Sequence, residues 1–109
     1  MNKLKVYICG KVTGLEKSES VLRFQESEMK LRDIGFDTVN PVRLIEIESL
    51  QRGFLPDWEN CMKICIRELV QCDYIYIIPD NVSTSKGAKL EMTIAHQLKI
   101  QRLKITNNE

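Results

Sequence analysis

Apolar and polar positions along this chain follow two different periods. Short runs of β-forming residues at 5–9, 36–39 and 74–78 predict strands, and a weaker run at 100–105 predicts a last one. The run at 74–78 is almost continuously apolar, which is typical of a strand covered on both faces. The first and third strands therefore belong at the centre of a sheet.

Helical spacing of apolar residues fills the intervals between these strands. It predicts helices over 20–34 and 88–98, and residues 42–50 are ambiguous and interpreted as a short helix. The clearest helix follows Asp57, a residue that can cap it. Its apolar residues keep the i, i+3, i+4, i+7 spacing without a miss, and they are Trp58, Cys61, Met62, Cys65, Ile66, Leu69 and Val70.

The alternation of strands and helices predicts an α/β protein with a mostly parallel sheet of four or five strands. Right-handed crossovers between parallel strands place helices on both faces, which gives three layers. The expected strand order is 2-1-3-4. A chain of 109 residues fits one domain over 1–109, and no linker or repeat divides it.

Composition and charge narrow the classes of partner. Sixteen basic against 15 acidic residues leave a net charge of +1 without a basic block, so no nucleic-acid partner is expected and a small molecule is favoured. The apolar piece 6–9 is too short for a signal peptide or a membrane span. We therefore expect a cytoplasmic protein without a membrane partner.

The four cysteines predict buried free thiols. The chain has no C-x-x-C pair and a single histidine, His96, so the spacing predicts neither a zinc site nor a disulfide. No metal and no cofactor are expected.

The segment 85–91 is the strongest candidate for chemistry. It follows the strand at 74–78 and opens a helix, which places Glu91 near a helix N-terminus at the ligand-binding edge of the sheet. The helix dipole there would stabilise an anionic ligand or a reactive carboxylate. The alternative is an exposed helix glutamate. Ser85 is interpreted as the helix N-cap, as a ligand contact, or as both.

A second candidate is the loop Gly10-x-x-x-Gly14 after the first strand. It matches neither a dinucleotide fingerprint nor a P-loop, and a tight strand-to-helix turn is the simpler interpretation. Adjacent parallel strands end at the same edge, so this loop should face Ser85 and Glu91 across one crevice. Tyr7 on the first strand is interpreted as a core residue.

An ordered set of motifs resembles the DUF4406 family, whose members are similar to shortened nucleoside 2-deoxyribosyltransferases. The motifs span about 5–96, and they are the run from Tyr7 to Gly14, Asn40-Pro41, Trp58 with Met62, Leu69 with Cys72-Asp73, and Ser85-x-Gly87-Ala88-x-x-Glu91 with Ala95.

The resemblance implies a flavodoxin-like sheet with a pocket for a deoxynucleoside or deoxynucleotide. Glu91 would attack the anomeric carbon of the sugar, and Tyr7 would orient the carboxylate. Sugar or phosphate contacts are expected from Gly10, Thr13, Gly14, Ser85 and Gly87. A homo-oligomer is also expected, because the resembled transferases assemble through helices beside the site and a short sheet leaves open edges.

Three departures from the transferases leave two hypotheses. Cys65 stands where they carry an aspartate that handles the proton of the base, Ser85 replaces a further carboxylate, and their longer C-terminal segment is absent from this sequence. A thiol is a poor proton donor to a leaving base at neutral pH. The chain is thus either an enzyme acting on the N-glycosidic bond or a nucleotide-binding module without catalysis.

Overall fold

A four-stranded parallel sheet forms the centre of the protein. The computed structural model describes residues 3–12, 17–79 and 85–105. Within these ranges the strands are β1 (Lys5–Cys9), β2 (Asp37–Val39), β3 (Tyr74–Ile77) and β4 (Gln101–Arg102). All pairs are parallel and the order is β2-β1-β3-β4, so the predicted α/β class, strand direction and order are confirmed. Flavodoxin-like sheets share this order.

Four helices connect and flank the strands. They are α1 (Lys17–Asp33), α2 (Pro41–Arg52), α3 (Trp58–Leu69) and α4 (Lys86–Gln97). Asp57 caps α3 as predicted, its side chain accepting from the backbone N–H of Asn60. No helix of the described residues is long and apolar enough to cross a membrane.

Side chains of β1 point alternately to two apolar clusters, one on each face of the sheet. Val6 and Ile8 pack with Phe24 and Leu31 of α1 on one face. The other cluster lies under α3 and α4 and consists of Tyr7, Cys9, Cys65, Leu69, Cys72, Ile75, Ile77, Ala88 and Ala95. This period-2 alternation builds the three layers, and it sends Tyr7 and Cys9 to the same side as α3 and α4.

A buried carboxylate fixes the position of α2. The Glu28 side chain on α1 pairs with Arg43 of α2 at 2.7 Å and with Arg32 at 3.5 Å, and it accepts from the Thr38 hydroxyl at 2.8 Å. The Asn40 side chain caps α2 by accepting from Val42 and Arg43 N–H groups. Asn40-Pro41, which the sequence offered only as one motif of the family resemblance, is a helix start with proline at the first position.

Candidate active site

A cleft of about 1020 Å³ opens at the carboxyl ends of β1 and β3. Helices α2, α3 and α4 supply its walls, and both Gly10 and Glu91 line it, which confirms that these two residues face one crevice. Ligand pockets commonly measure about 300–1,000 Å³, so a nucleoside-sized molecule fits with room to spare. Its lining is largely apolar, and the charged side chains among the described lining residues are Glu46 and Glu91.

Glu91 is buried and held by Tyr7. Its side chain is on α4, six residues after the N-cap Ser85, and the residue is 6% exposed. The Tyr7 hydroxyl donates a hydrogen bond to Oε2 of Glu91. Tyr7 is 0% exposed, so it is a core residue and a partner of Glu91 at the same time. The alternative interpretation of Glu91 as an exposed helix glutamate was wrong.

Burial dominates the ionisation of Glu91. Desolvation raises its pKa from the ordinary 4.5 to about 7, although hydrogen bonds from Tyr7 and Cys9 act in the opposite direction. The expected stabilisation by the helix dipole does not prevail, because Glu91 lies beyond the first turn, where that field has weakened. Near neutral pH the carboxyl group therefore exists in both protonation states.

Two buried thiols complete the surroundings of Glu91. The Cys9 Sγ lies 3.7 Å from the carbonyl oxygen of Ala88, one turn before Glu91 on α4. Cys65 on α3 belongs to the same buried cluster as Tyr7 and Cys9, and it lines the cleft. Burial, and secondarily the charge of Glu91, raise the Cys65 pKa to about 12, so this group keeps its proton at neutral pH. Burial likewise raises the Tyr7 pKa well above 10.

The start of α4 is built by Ser85 and Gly87. Ser85 is the N-cap, with its Oγ accepting from the backbone N–H of Ala88 at 3.2 Å, as one interpretation of the sequence expected. A Cβ on Gly87 would lie 3.2 Å from Met62 Sδ, so glycine allows α4 to approach α3 closely. Both residues line the cleft, where a ligand could contact them. Thr13 and Gly14, the other predicted contacts, lie outside the described residues.

Gly10 has a packing role that the sequence did not reveal. A Cβ at this position would lie 2.9 Å from Ile78 Cδ1 and 3.3 Å from Phe24 Cζ.

Gly10→Ala should therefore destabilise the fold by about 1–3 kcal/mol, the usual cost of overpacking a core. Urea unfolding measures it. An alanine variant as stable as the wild type would show that Ile78 and Phe24 yield freely and that Gly10 is there for another reason.

Trp58 belongs to the cleft as well as to the helix. It is one of the apolar residues with helical spacing, yet it is 37% exposed, lines the cleft, and has the Lys86 ammonium 4.1 Å from its ring centroid. Beside it, Leu50, Phe54 and Leu55 form an apolar rim and are 62–77% exposed. Helix periodicity alone cannot separate an apolar residue that faces a cleft from one that faces the core. An aromatic residue at a helix start beside a Pro-containing loop was the available signal.

All four cysteines are free thiols. Within the described part of the chain, no group of three or more His, Cys, Asp or Glu side chains could hold a metal ion.

Comparison with known protein families gives a match over nearly the whole chain. A family described as "Domain of unknown function (DUF4406)" matches residues 4–104. No curated protein and no solved structure matched the chain.

Proposed function

The chain belongs to the DUF4406 family, and we propose that it acts on the N-glycosidic bond of a deoxynucleoside or deoxynucleotide, with Glu91 as the nucleophile. One observation carries the proposal: a buried carboxyl group lines a large cleft and accepts a hydrogen bond from Tyr7. A surface glutamate would have neither the fixed geometry nor the raised pKa that mark functional carboxylates.

The chemistry requires the ionised form of Glu91. One of its oxygens forms a bond to the anomeric carbon while the carbon–nitrogen bond breaks, and the electron pair leaves with the base. The base nitrogen then takes up a proton from solvent water. Water, or an N–H nitrogen of a second base, attacks the same carbon and loses a proton to solvent, the ester bond to Glu91 breaks, and Glu91 returns as a carboxylate. Each half-reaction inverts the carbon, so the product retains its configuration.

Tyr7 suits the role of orienting residue. Its raised pKa keeps it a hydroxyl donor, and a donor to Oε2 fixes the plane of the carboxylate. Gly10, Ser85 and Gly87 border the same cleft at positions where they could contact a sugar. The described lining contains the carboxylates of Glu46 and Glu91, and the Lys86 ammonium lies 4.1 Å from the ring centroid of Trp58, which also lines the cleft.

A binding module without catalysis is the second candidate, and Cys65 favours it. A leaving base needs a proton, and a thiol whose pKa is about 12 does not give one up at neutral pH. Among the described lining residues Glu46 is the other carboxylate, and it lies on the exposed side of α2. On this alternative the cleft holds a nucleoside or nucleotide and leaves it intact.

A screen of deoxynucleosides and their 5′-monophosphates tests both candidates. Base release, followed by chromatography, reports catalysis. Binding is reported by the fluorescence of Trp58, the chain's one tryptophan, whose ring lines the cleft. The enzyme proposal expects release from at least one deoxynucleoside. Binding without release in every case supports the binding module, and neither binding nor release contradicts both.

We also propose that the protein assembles as a homo-oligomer. The two-residue strand β4 leaves an open sheet edge, and the rim of Leu50, Phe54 and Leu55 presents apolar surface.

A further inference from the structure

One side of the cleft is apolar and does not match the polar groups of a nucleoside. It is formed by the end of α2, the segment before α3 and the first residue of α3. Its lining residues, which together form the apolar arm of the cleft, are Ile45, Leu50, Phe54, Leu55, Pro56 and Trp58. The hydroxyl groups of deoxyribose and the polar edges of a base need hydrogen-bond partners, which these side chains do not supply.

Trp58 joins the apolar arm to the part of the cleft that contains Glu91. A Cβ on Gly87 would lie 3.8 Å from Trp58 Nε1, so the indole borders the first turn of α4. Gly87 stands four residues before Glu91, which is about one helical turn. On the other side, the Cys61 thiol donates to the carbonyl oxygen of Pro56 at 3.4 Å and ties the segment before α3 to that helix. The arm therefore continues the site of Glu91.

The outer end of the arm is exposed to solvent. Gly53 ends α2 with a φ of 80°, in the left-handed region, so the chain leaves the helix before Phe54 and Leu55. These two side chains and Leu50 remain largely exposed. Three large apolar side chains grouped at the mouth of a cleft are typical of a surface that binds a ligand or a partner.

The polar groups beside the arm favour an uncharged ligand group. The Ser49 hydroxyl donates to the carbonyl oxygen of Ile45 at 2.7 Å, so its proton is used within α2. Glu46 lines the cleft and is exposed, so its carboxylate stays hydrated and opposes an anion. The Lys86 ammonium is paired with the ring of Trp58. A hydrocarbon group therefore fits the arm better than a charged or hydroxylated one.

From this geometry we propose that the ligand is a deoxynucleoside whose base carries an apolar substituent, and that this substituent binds the apolar arm. Trp58 borders the base, and Leu50, Phe54 and Leu55 cover the substituent. Removal of both apolar surfaces from water drives the binding. The inference rests on the proposed function, because it assumes that the sugar lies at Glu91.

Calorimetric titration with two series of deoxynucleosides tests this inference. The first series is deoxyadenosine with a methyl, propyl or pentyl group on N6, and the second is deoxyuridine with the same groups on C5. In at least one series, each added methylene should lower the Kd by about two- to fourfold, where fourfold corresponds to full burial. A terminal hydroxyl on the pentyl group should raise the Kd on the order of tenfold, because the arm leaves it unpaired. Kd values independent of chain length in both series, or no binding by any member, overturn the proposal.

Substitutions in the arm show whether the chain-length dependence arises there. Leu50→Gln and Leu55→Gln replace exposed side chains, so both variants should fold, and each should weaken the dependence of Kd on chain length. Met29→Gln is the matched control, since Met29 is an exposed apolar residue of α1 that does not line the cleft. It should keep the full dependence. A dependence that survives both leucine substitutions overturns the proposal.

Sedimentation of the same variants distinguishes a substituent from a second copy of the chain as the occupant of the arm. If Leu50→Gln and Leu55→Gln dissociate an oligomer but leave the chain-length dependence intact, the rim is a subunit contact and the proposal is overturned. A weaker dependence with an unchanged oligomeric state supports it.

Base release from the same compounds separates this inference from the proposed function. Release from an unsubstituted deoxynucleoside, with a Kd that ignores chain length, keeps the enzyme and overturns the role of the arm. Binding that tightens with chain length, without release from any compound, keeps the arm and contradicts the enzyme.

Discussion

Glu91→Gln should abolish base release while leaving ligand binding in place. The amide keeps the shape of the side chain and can still accept from Tyr7, but it cannot form the glycosyl ester. Loss of a covalent nucleophile should lower kcat on the order of 10³-fold or more, which corresponds to about 4 kcal/mol of the activation barrier. Single-turnover base release measures the loss, and Trp58 fluorescence measures the binding.

Glu26→Gln is the matched control for this substitution. Glu26 is an exposed glutamate on α1, away from the residues that line the cleft, so its amide should release base at the wild-type rate. The wild-type rate should also rise with pH through about 7, because attack requires the ionised form of Glu91. An active Glu91→Gln variant would refute the nucleophile assignment.

Folding stability should fall as pH rises from about 4.5 to about 7. Glu91 binds its proton more tightly in the folded protein, where its pKa is about 7, than in the unfolded chain, where 4.5 applies. The stability that protonated Glu91 contributes is fully present below pH 4.5, its pKa in the unfolded chain. It is lost as the pH rises through about 7, its pKa in the folded protein, because the folded state must then bury a charge. At 1.36 kcal/mol for each pKa unit, the loss is roughly 3 kcal/mol.

The substitution Glu91→Gln isolates the part of this pH dependence of stability that is due to Glu91. Glu91→Gln cannot ionise, so the difference in free energy of unfolding between wild type and variant should change by that amount across the range. Relative to the wild type, the variant should be the more stable protein above pH 7 and close to it below pH 4.5. Urea unfolding at a series of pH values measures both curves. Parallel curves would mean that Glu91 titrates at its ordinary pKa.

The sheet could be predicted from the sequence because its information is local. Period-2 and continuous apolar runs specify strands, helical spacing specifies the segments between them, and the handedness of crossovers leaves few topologies. This was sufficient for the strand order β2-β1-β3-β4 and for the meeting of Gly10 and Glu91 at one edge. Helix caps such as Asp57 and Ser85 could be predicted for the same reason, because each side chain accepts a hydrogen bond from a backbone N–H only three residues later.

Burial of a particular polar group was decided by tertiary structure alone. Glu91 follows a helix start, where local rules favour an exposed, ionised side chain, yet packing of α4 against β1 and α3 removes it from water and raises its pKa. No local pattern shows that Tyr7, a core residue of β1 that lies 84 residues away in the sequence, donates a hydrogen bond from its hydroxyl to that carboxylate. The contact exists because two parallel strands and one helix converge, and only the folded chain brings them together.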